Sequence, residues 1–237
     1  SWNKLRKQLN GGKFTRIYDL QNNDRTAFYF NLLKPKPEWV GAAKGASHQN
    51  TSPQRTAGHA FDGHVQTLAL AGIQNVEVDP LKWMSADITA FKLQQPFALL
   101  VPGCAPQHPQ KRWPADHYGE LAAYLQNHGI QPVILGTQAE AKEAEEITSA
   151  CPKAANLTGQ TALPHIATLA REAAFAVGND TGPIHLIAAT GCPTLALFSE
   201  RSNPVKHAPQ GAKAHILQSE TLKNLPLGRV TGFLEKQ

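Results

Sequence analysis

The sequence predicts an α/β protein whose main body is a parallel sheet with helices on both faces. From Phe97 onward, near-continuous apolar runs of strand length alternate with segments of helical period, the order expected of a doubly wound sheet. The composition agrees: 41% of the 237 residues are apolar and 17% charged, with 18 Gly and 17 Pro, which describes a packed globular chain and not a disordered or fibrous one. No internal repeat with a period of about 20–50 residues is present, which sets solenoids and propellers aside.

The first 92 residues are the less regular part. A basic helix runs to about Leu9, TRIYDLQ (15–21) reads as a strand, and helices are expected near Thr26 to Leu33 and His64 to Gly72. Residues 34–63, rich in Pro, Gly, Ser and His, are too long for an ordinary connection and read as a functional or mobile loop. One strand, its helix and a loop make no sheet by themselves. Residues 1–92 are therefore expected to form a truncated or minimal N-terminal α/β domain, its earlier strands lying outside the supplied chain.

Residues 93–237 supply the regular alternation. FALLVPG (97–103) is a buried strand, and a helix begins near Pro114 with Tyr118, Leu121, Ala122 and Leu125 on one face and Gly129 past its end. PVILGT (132–137) is the next strand, Ala139 to Cys151 a helix burying Ala144 and Ile147, and AANLTG (154–159) a short third strand. A third helix, capped by Thr161, carries Leu163, Ile166, Leu169 and Ala173 inward. FAVGND (175–180), a helix over 183–190, PTLALFS (193–199) and HILQ (215–218) complete the series.

Several function classes are already disfavoured. Cys104, Cys151 and Cys192 are odd in number and widely spaced, which argues against a secreted disulfide framework and for a reducing, cytoplasmic compartment. No apolar run approaches the roughly 18–20 residues of a membrane span, and SWNKLRKQLN has no signal-peptide apolar core. The net charge of +5 suits an anionic substrate or a membrane surface without selecting either. The 10 histidines are scattered and the cysteines never pair at ligand spacing, so neither a metal site nor a cofactor is expected.

In open α/β sheets ligands collect beyond the carboxyl ends of the strands, and four such places carry chemistry. In GNDTGPIH (178–185) a strand ends at Asp180, Thr181 or Gly182 can cap, and Pro183 suits the first helical turn. The N–H groups of Thr181, Gly182 and Ile184 or His185, with the Thr181 hydroxyl, would then cradle a phosphate; a plain helix cap fits the same residues. PGCAPQHPQKRWP (102–114) places Lys111 and Arg112 beside a helix start, where they would meet a pyrophosphate or merely be solvated. In GTQAE (136–140), Thr137 and Glu140 have capping-box spacing, and the carboxylate also suits ribose hydroxyls. In LTGQTAL (157–163), Gly159 turns the chain into a helix, with its backbone available to a base or simply making a tight turn.

Taken in this order, PG, KRWP, G with a following Glu, L-x-G-x-T and GNDTGPIHL with CPTLALF behind it resemble the carboxyl-terminal domain of glycosyltransferase family 9, the ADP-heptose:lipopolysaccharide heptosyltransferases and their relatives. The resemblance covers about residues 97–218, with weaker similarity through YDLQNNDRT (18–26). It implies a GT-B fold with a Rossmann-like donor domain. It also implies roles: Lys111 on the diphosphate or sugar, Glu140 on the ribose, the backbone from Gly159 through Thr161 to Leu163 at the base. Asp180 would hold sugar hydroxyls, Thr181 and Gly182 the diphosphate, with His185 close by.

The family usually begins with a strand and glycine turn bearing an Asp thought to act as general base, and nothing before Thr15 matches it. Asp19 and Asp24 are the nearest carboxylates in that half. Arg25, Lys34, Lys36, Lys44 and Arg55 flank the loop and are candidates for meeting an anionic lipopolysaccharide core; Trp39 and His59 have no spacing that favours sugar stacking. The leading expectation is an inverting transfer of heptose or a related sugar from a nucleotide donor to a cell-envelope glycan at the inner face of the membrane. No nucleic-acid partner is expected. The alternatives are another GT-B enzyme or a catalytically idle nucleotide-sugar-binding module.

Overall fold

The computed structural model describes residues 2–105 and 107–235. Its contacts divide the chain between Glu77 and Val78 into two compact units. The sequence placed this boundary between residues 92 and 93. Residues 78–92 instead belong to the second unit: Arg171 donates to Leu81 O (3.2 Å) and Met84 O (2.7 Å), Ala86 N donates to Thr168 Oγ1 (3.1 Å), and Ile88 and Phe91 pack on the second unit's core.

The first unit contains α1 (Trp2–Gly11), β1 (Arg16–Tyr18), α2 (Asp24–Leu32), β2 (Glu38–Gly41), β3 (His48–Gln49) and, after a 3-10 turn at Pro53–Thr56, α3 (Ala60–Ala69). The three strands form a parallel sheet in the order β1-β2-β3, with Ile17 opposite Trp39 and Val40 opposite His48. Residues 34–63 are thus not one long loop, and this half does make a sheet. Trp39 and Val40 are 3% and 0% exposed, so the strand is fixed by what its side chains bury, together with Phe30, Leu33 and Ala43. The helix expected from His64 begins earlier, at Ala60, where the His59 ring accepts from Phe61 N (3.1 Å) as its cap.

The second unit runs β4 (Phe97–Val101), α4 (Ala115–Asn127), β5 (Gln131–Ile134), α5 (Ala141–Ala150), β6 (Ala155–Asn156), α6 (Leu163–Glu172), β7 (Phe175–Asn179), α7 (Gly182–Ala189), β8 (Thr194–Ser199), α8 (Pro204–His207), β9 (Ala214–Ser219) and α9 (Leu227–Leu234). All six strands are parallel, in the order β6-β5-β4-β7-β8-β9. Side chains alternate across a strand, and β4 shows the result: Ala98 and Leu100 enter one core, Phe97, Leu99 and Val101 the other. Leu121, Leu125 and Ile147 of α4 and α5 cover the first face, with Val230 of α9; Ile166 and Leu169 of α6 and Ile184 and Ile187 of α7 cover the second. β4 and β8 are buried on both faces and read as near-continuous apolar runs, whereas the edge strands β6 and β9 are partly exposed; each fully buried Leu or Ile contributes about 1.5–3 kcal/mol.

Two details of α6 differ from expectation. Its N-cap is Ala162, not Thr161, with the His165 ring accepting from Ala162 N (3.0 Å). Leu163, the first helical residue, is 55% exposed and not on the inner face, because the buried stripe starts one turn later at Ile166. The one-turn α8 and the eight-residue α9 had no counterpart in the sequence reading.

Candidate functional site

The strand order places a switch point between β4 and β7. The connection after β4 leaves toward α4 on one face and the connection after β7 toward α7 on the other, so a crevice opens beyond the carboxyl ends of these neighbours. Gly178 brings α7 close to the sheet: a Cβ there would lie 2.7 Å from Val101 Cβ and 2.9 Å from Ile184 Cδ1.

Asn179 ends β7 and is fully buried. Its Oδ1 accepts from Trp113 N (3.0 Å) and Tyr118 OH (3.2 Å), and its Nδ2 donates to Pro102 O (2.6 Å). The connection from β4 to α4 is therefore pinned at both ends. Trp113 anchors it further, burying its ring and donating from Nε1 to Leu225 O (2.9 Å). Within the span, Arg112 pairs with Glu143 and donates from Nη2 to Cys104 O (3.2 Å) and from Nε to Cys104 Sγ (3.4 Å). The guanidinium considered for a pyrophosphate is thus a brace within the protein.

Lys111 points the other way, into the crevice. Its Nζ lies 2.8 Å from Asp180 Oδ2, the same oxygen that accepts from Ser202 Oγ at 2.9 Å. His185 Nε2 stands 3.6 Å from Asp180 Oδ1. The Asp180 side chain is only 8% exposed. Burial pushes its carboxyl up, but His185, Lys111 and Ser202 pull it down more strongly and hold it well below the usual carboxylate range. Because His185 is past hydrogen-bond length, Lys111 and Ser202 supply the bonds that matter.

Beside this cluster lies the N-terminus of α7. Thr181 is the N-cap with extended backbone, yet its side chain makes no capping hydrogen bond. A Cβ on Gly182 would meet no heavy atom within 4 Å, so the first turn opens onto free space. A plain cap and an anion cradle are both open from the sequence here, and the structure leaves the cap hydroxyl unused with room beside the first turn.

Glu140 comes to the same connection from the β5 side. The capping box forms, with Glu140 Oε2 accepting from Thr137 N (2.8 Å) and Thr137 Oγ1 (2.7 Å). The carboxylate also abuts Gly103, where a Cβ would lie 2.9 Å from Glu140 Cδ and 3.2 Å from Oε1. Gly159 donates to Gly136 O (2.8 Å) and has φ +74°, a conformation glycine adopts without strain, and a Cβ there would meet Gln138 Oε1 at 3.0 Å. The loops after β4, β5, β6 and β7 therefore converge on one rim, with the β4–α4 connection touched by Glu140 at Gly103 and by Asp180 at Lys111. Ser202 belongs to this cluster and was missed by the sequence reading. Its position just beyond β8, at a strand's carboxyl end, was the available signal.

The two carboxylates considered as a base lie in the first unit. Asp19 follows β1, is 5% exposed, and accepts at Oδ1 from Asn22 N (2.9 Å), while Oδ2 is buried without a hydrogen-bond partner. Asp24 opens α2 and is exposed. Among the described residues, no group of three or more His, Cys, Asp and Glu is arranged to hold a metal ion, no helix is long and apolar enough to cross a membrane, and the three cysteines are free and buried.

Comparison with known proteins gives the same answer as the motifs. The family model described as glycosyltransferase family 9 (heptosyltransferase) matches residues 2–233. The chain is 33% identical over 238 residues to lipopolysaccharide heptosyltransferase 2 of Escherichia coli (strain K12), covering 91% of this chain and 68% of that protein. It is 35% identical over 115 residues to lipopolysaccharide heptosyltransferase 2 of Salmonella typhimurium, covering 46% of this chain and 33% of that protein, so the match spans about a third of that relative. The solved ADP-heptose lipopolysaccharide heptosyltransferase II of E. coli superposes with a TM-score of 0.74 at 25% identity, covering 98% of this chain and 79% of that one. The GT-B class expected from the motifs, with a Rossmann-like second unit, holds. A six-stranded parallel sheet, converging loops at its switch point and a family match over nearly the whole length lead to one conclusion: the chain belongs to glycosyltransferase family 9, the heptosyltransferase family.

Proposed function

We propose that the chain is a glycosyltransferase that moves heptose, or a related sugar, from a nucleotide-diphosphate donor such as ADP-heptose to a lipopolysaccharide-type acceptor, with inversion, at the inner face of the cytoplasmic membrane. The reading rests on one observation above the others: a cation, Lys111, and the open N-terminus of α7 stand together at the switch-point crevice. In this chemistry the acceptor hydroxyl oxygen attacks the anomeric carbon as the bond to the diphosphate breaks, and negative charge grows on the leaving group. The N–H groups of Thr181 and Gly182, with Lys111 turned from Asp180 toward the diphosphate, would receive that charge.

The remaining roles follow the rim. Glu140 would take the ribose hydroxyls, the turn at Gly159 with Thr161 and exposed Leu163 the base, and Asp180, with His185 beside it, the transferred sugar. The hydroxyl proton goes to a base, for which Asp19 and Asp24 are the first unit's candidates, neither assigned. No cofactor is required by this scheme. The acceptor would be a lipopolysaccharide core or another anionic glycan.

The test is incubation with ADP-heptose, with and without a heptose-free lipopolysaccharide acceptor, following release of ADP. Acceptor-dependent release supports transfer. Saturable binding without release would leave a nucleotide-sugar-binding module, and absence of binding would end the donor reading.

A further inference from the structure

In this structure the charge of Lys111 is already neutralised, since its ammonium and the Ser202 hydroxyl share Asp180 Oδ2 at 2.8 and 2.9 Å. A diphosphate that takes Lys111 as its own counterion competes with that carboxylate for the ammonium. Where the diphosphate wins, Asp180 loses its counterion at the moment two further negative groups arrive, on a side chain that is 8% exposed with Lys111 in place. A buried carboxylate stripped of its hydrogen-bond donors is strongly disfavoured. The donors that stay are Ser202 Oγ, already at bonding distance, and His185 Nε2 at 3.6 Å from the other oxygen.

Ser202 is well suited to stay. It is 3% exposed, and its N–H bonds Ser199 O (2.9 Å), which ties it to the end of β8, itself paired with β7. Unlike a lysine ammonium on a flexible stem, this hydroxyl is held by backbone that the sheet fixes.

We propose that Ser202 is a positioning residue of the donor site: it holds the Asp180 carboxylate in place so that Lys111 can leave it for the diphosphate of an incoming nucleotide. The inference rests on the donor reading above. Without the hydroxyl, Asp180 depends on Lys111 alone at Oδ2, the pair becomes harder to separate, and the ligand loses its cation.

The test is a double-mutant cycle on the intact chain, with ADP as the probe and its affinity measured by calorimetry. Ser202→Ala in the wild-type background weakens ADP binding by about tenfold, one charge-assisted hydrogen bond's worth, and Ser202→Thr restores it. In a Lys111→Met background Ser202→Ala has no further effect, because no lysine has to be released. If Ser202→Ala leaves affinity unchanged, or costs the same in both backgrounds, Ser202 is only a structural residue and the proposal is overturned. If Lys111→Met binds ADP as tightly as wild type, or the wild type does not bind ADP, the donor reading fails first and takes the proposal with it. If Ser202→Ala and Ser202→Thr lose ADP affinity alike, with melting temperatures lowered alike, the loss is one of folding and the proposal is overturned.

Discussion

Asn179 and Asp180 are consecutive residues at the end of β7, and they face opposite kinds of neighbour. Asn179 is bonded on both amide atoms by groups embedded in the fold: the Pro102 carbonyl, the Trp113 amide and a buried Tyr118 hydroxyl. Asp180 is held by two mobile side chains and one serine, beside a helix start that opens to space. One side chain fastens the connection over the crevice and the other lies in the crevice. Two buried polar side chains thus make a fastening and an exchangeable contact one residue apart, separated by whether the partners are held by backbone and core packing or are side chains at an open helix start.

That contrast dictates how substitutions should divide. Asn179→Ala should cost about 2–4 kcal/mol of folding stability, since it strands the Trp113 N–H and the Pro102 carbonyl inside the protein and leaves the Tyr118 hydroxyl only Val101 O; denaturant unfolding measures it, and a loss under about 1 kcal/mol would mean the connection is held elsewhere. Lys111→Met should act mainly on the ligand, lowering ADP affinity by about tenfold to a hundredfold while costing less stability than Asn179→Ala, about 1–3 kcal/mol, because Ser202 still bonds the Asp180 carboxylate. Asp180→Ala should weaken ADP-heptose binding more than ADP binding; equal losses would place Asp180 in the cap rather than at the sugar.

The pH dependence of Asp180 gives a finer test. Its carboxyl is held below the unfolded value of about 3.9, so its stabilising contribution is complete above that value and is lost as pH falls through the folded one. The stability difference between wild type and Asp180→Asn should stay flat from neutrality to about pH 5 and narrow only below about pH 4. A difference that fades near pH 6 would point to another group. The smallest effect is expected from Thr181→Val: it removes a hydroxyl with no capping bond, so stability should hold within about 0.5 kcal/mol while ADP affinity falls measurably.

The second unit was legible because its inner strands are buried on both faces, so FALLV and TLALFS read as strands without knowledge of their neighbours. The site motifs were legible for a related reason: Gly, Thr, Asp and Pro at a strand's carboxyl end are where backbone must turn into a helix. The first sheet was not. β2 is four residues long with Pro35 and Pro37 before it, and β3 has two residues, so both exist by pairing rather than by pattern. α9 was hidden by Gly228 and Gly232, which lower helix propensity, and is stabilised by burying Val230 against the core. Ser202 had no motif to announce it, because its role comes from two chain segments meeting beyond β7 and β8. The Lys111–Asp180 pair was likewise visible only as two separate residues.

Several loops of one sheet rim are expected to grip the same diphospho-sugar, and an amide-resolved titration with ADP-heptose reads this directly. The expected result is that the amides of Lys111, Gly159, Thr181, Gly182 and Ile184 shift together along one saturable curve, while those of the opposite rim, such as Phe175 and Thr194, stay still. Shifts that fail to saturate, or that gather at the opposite rim, would contradict it.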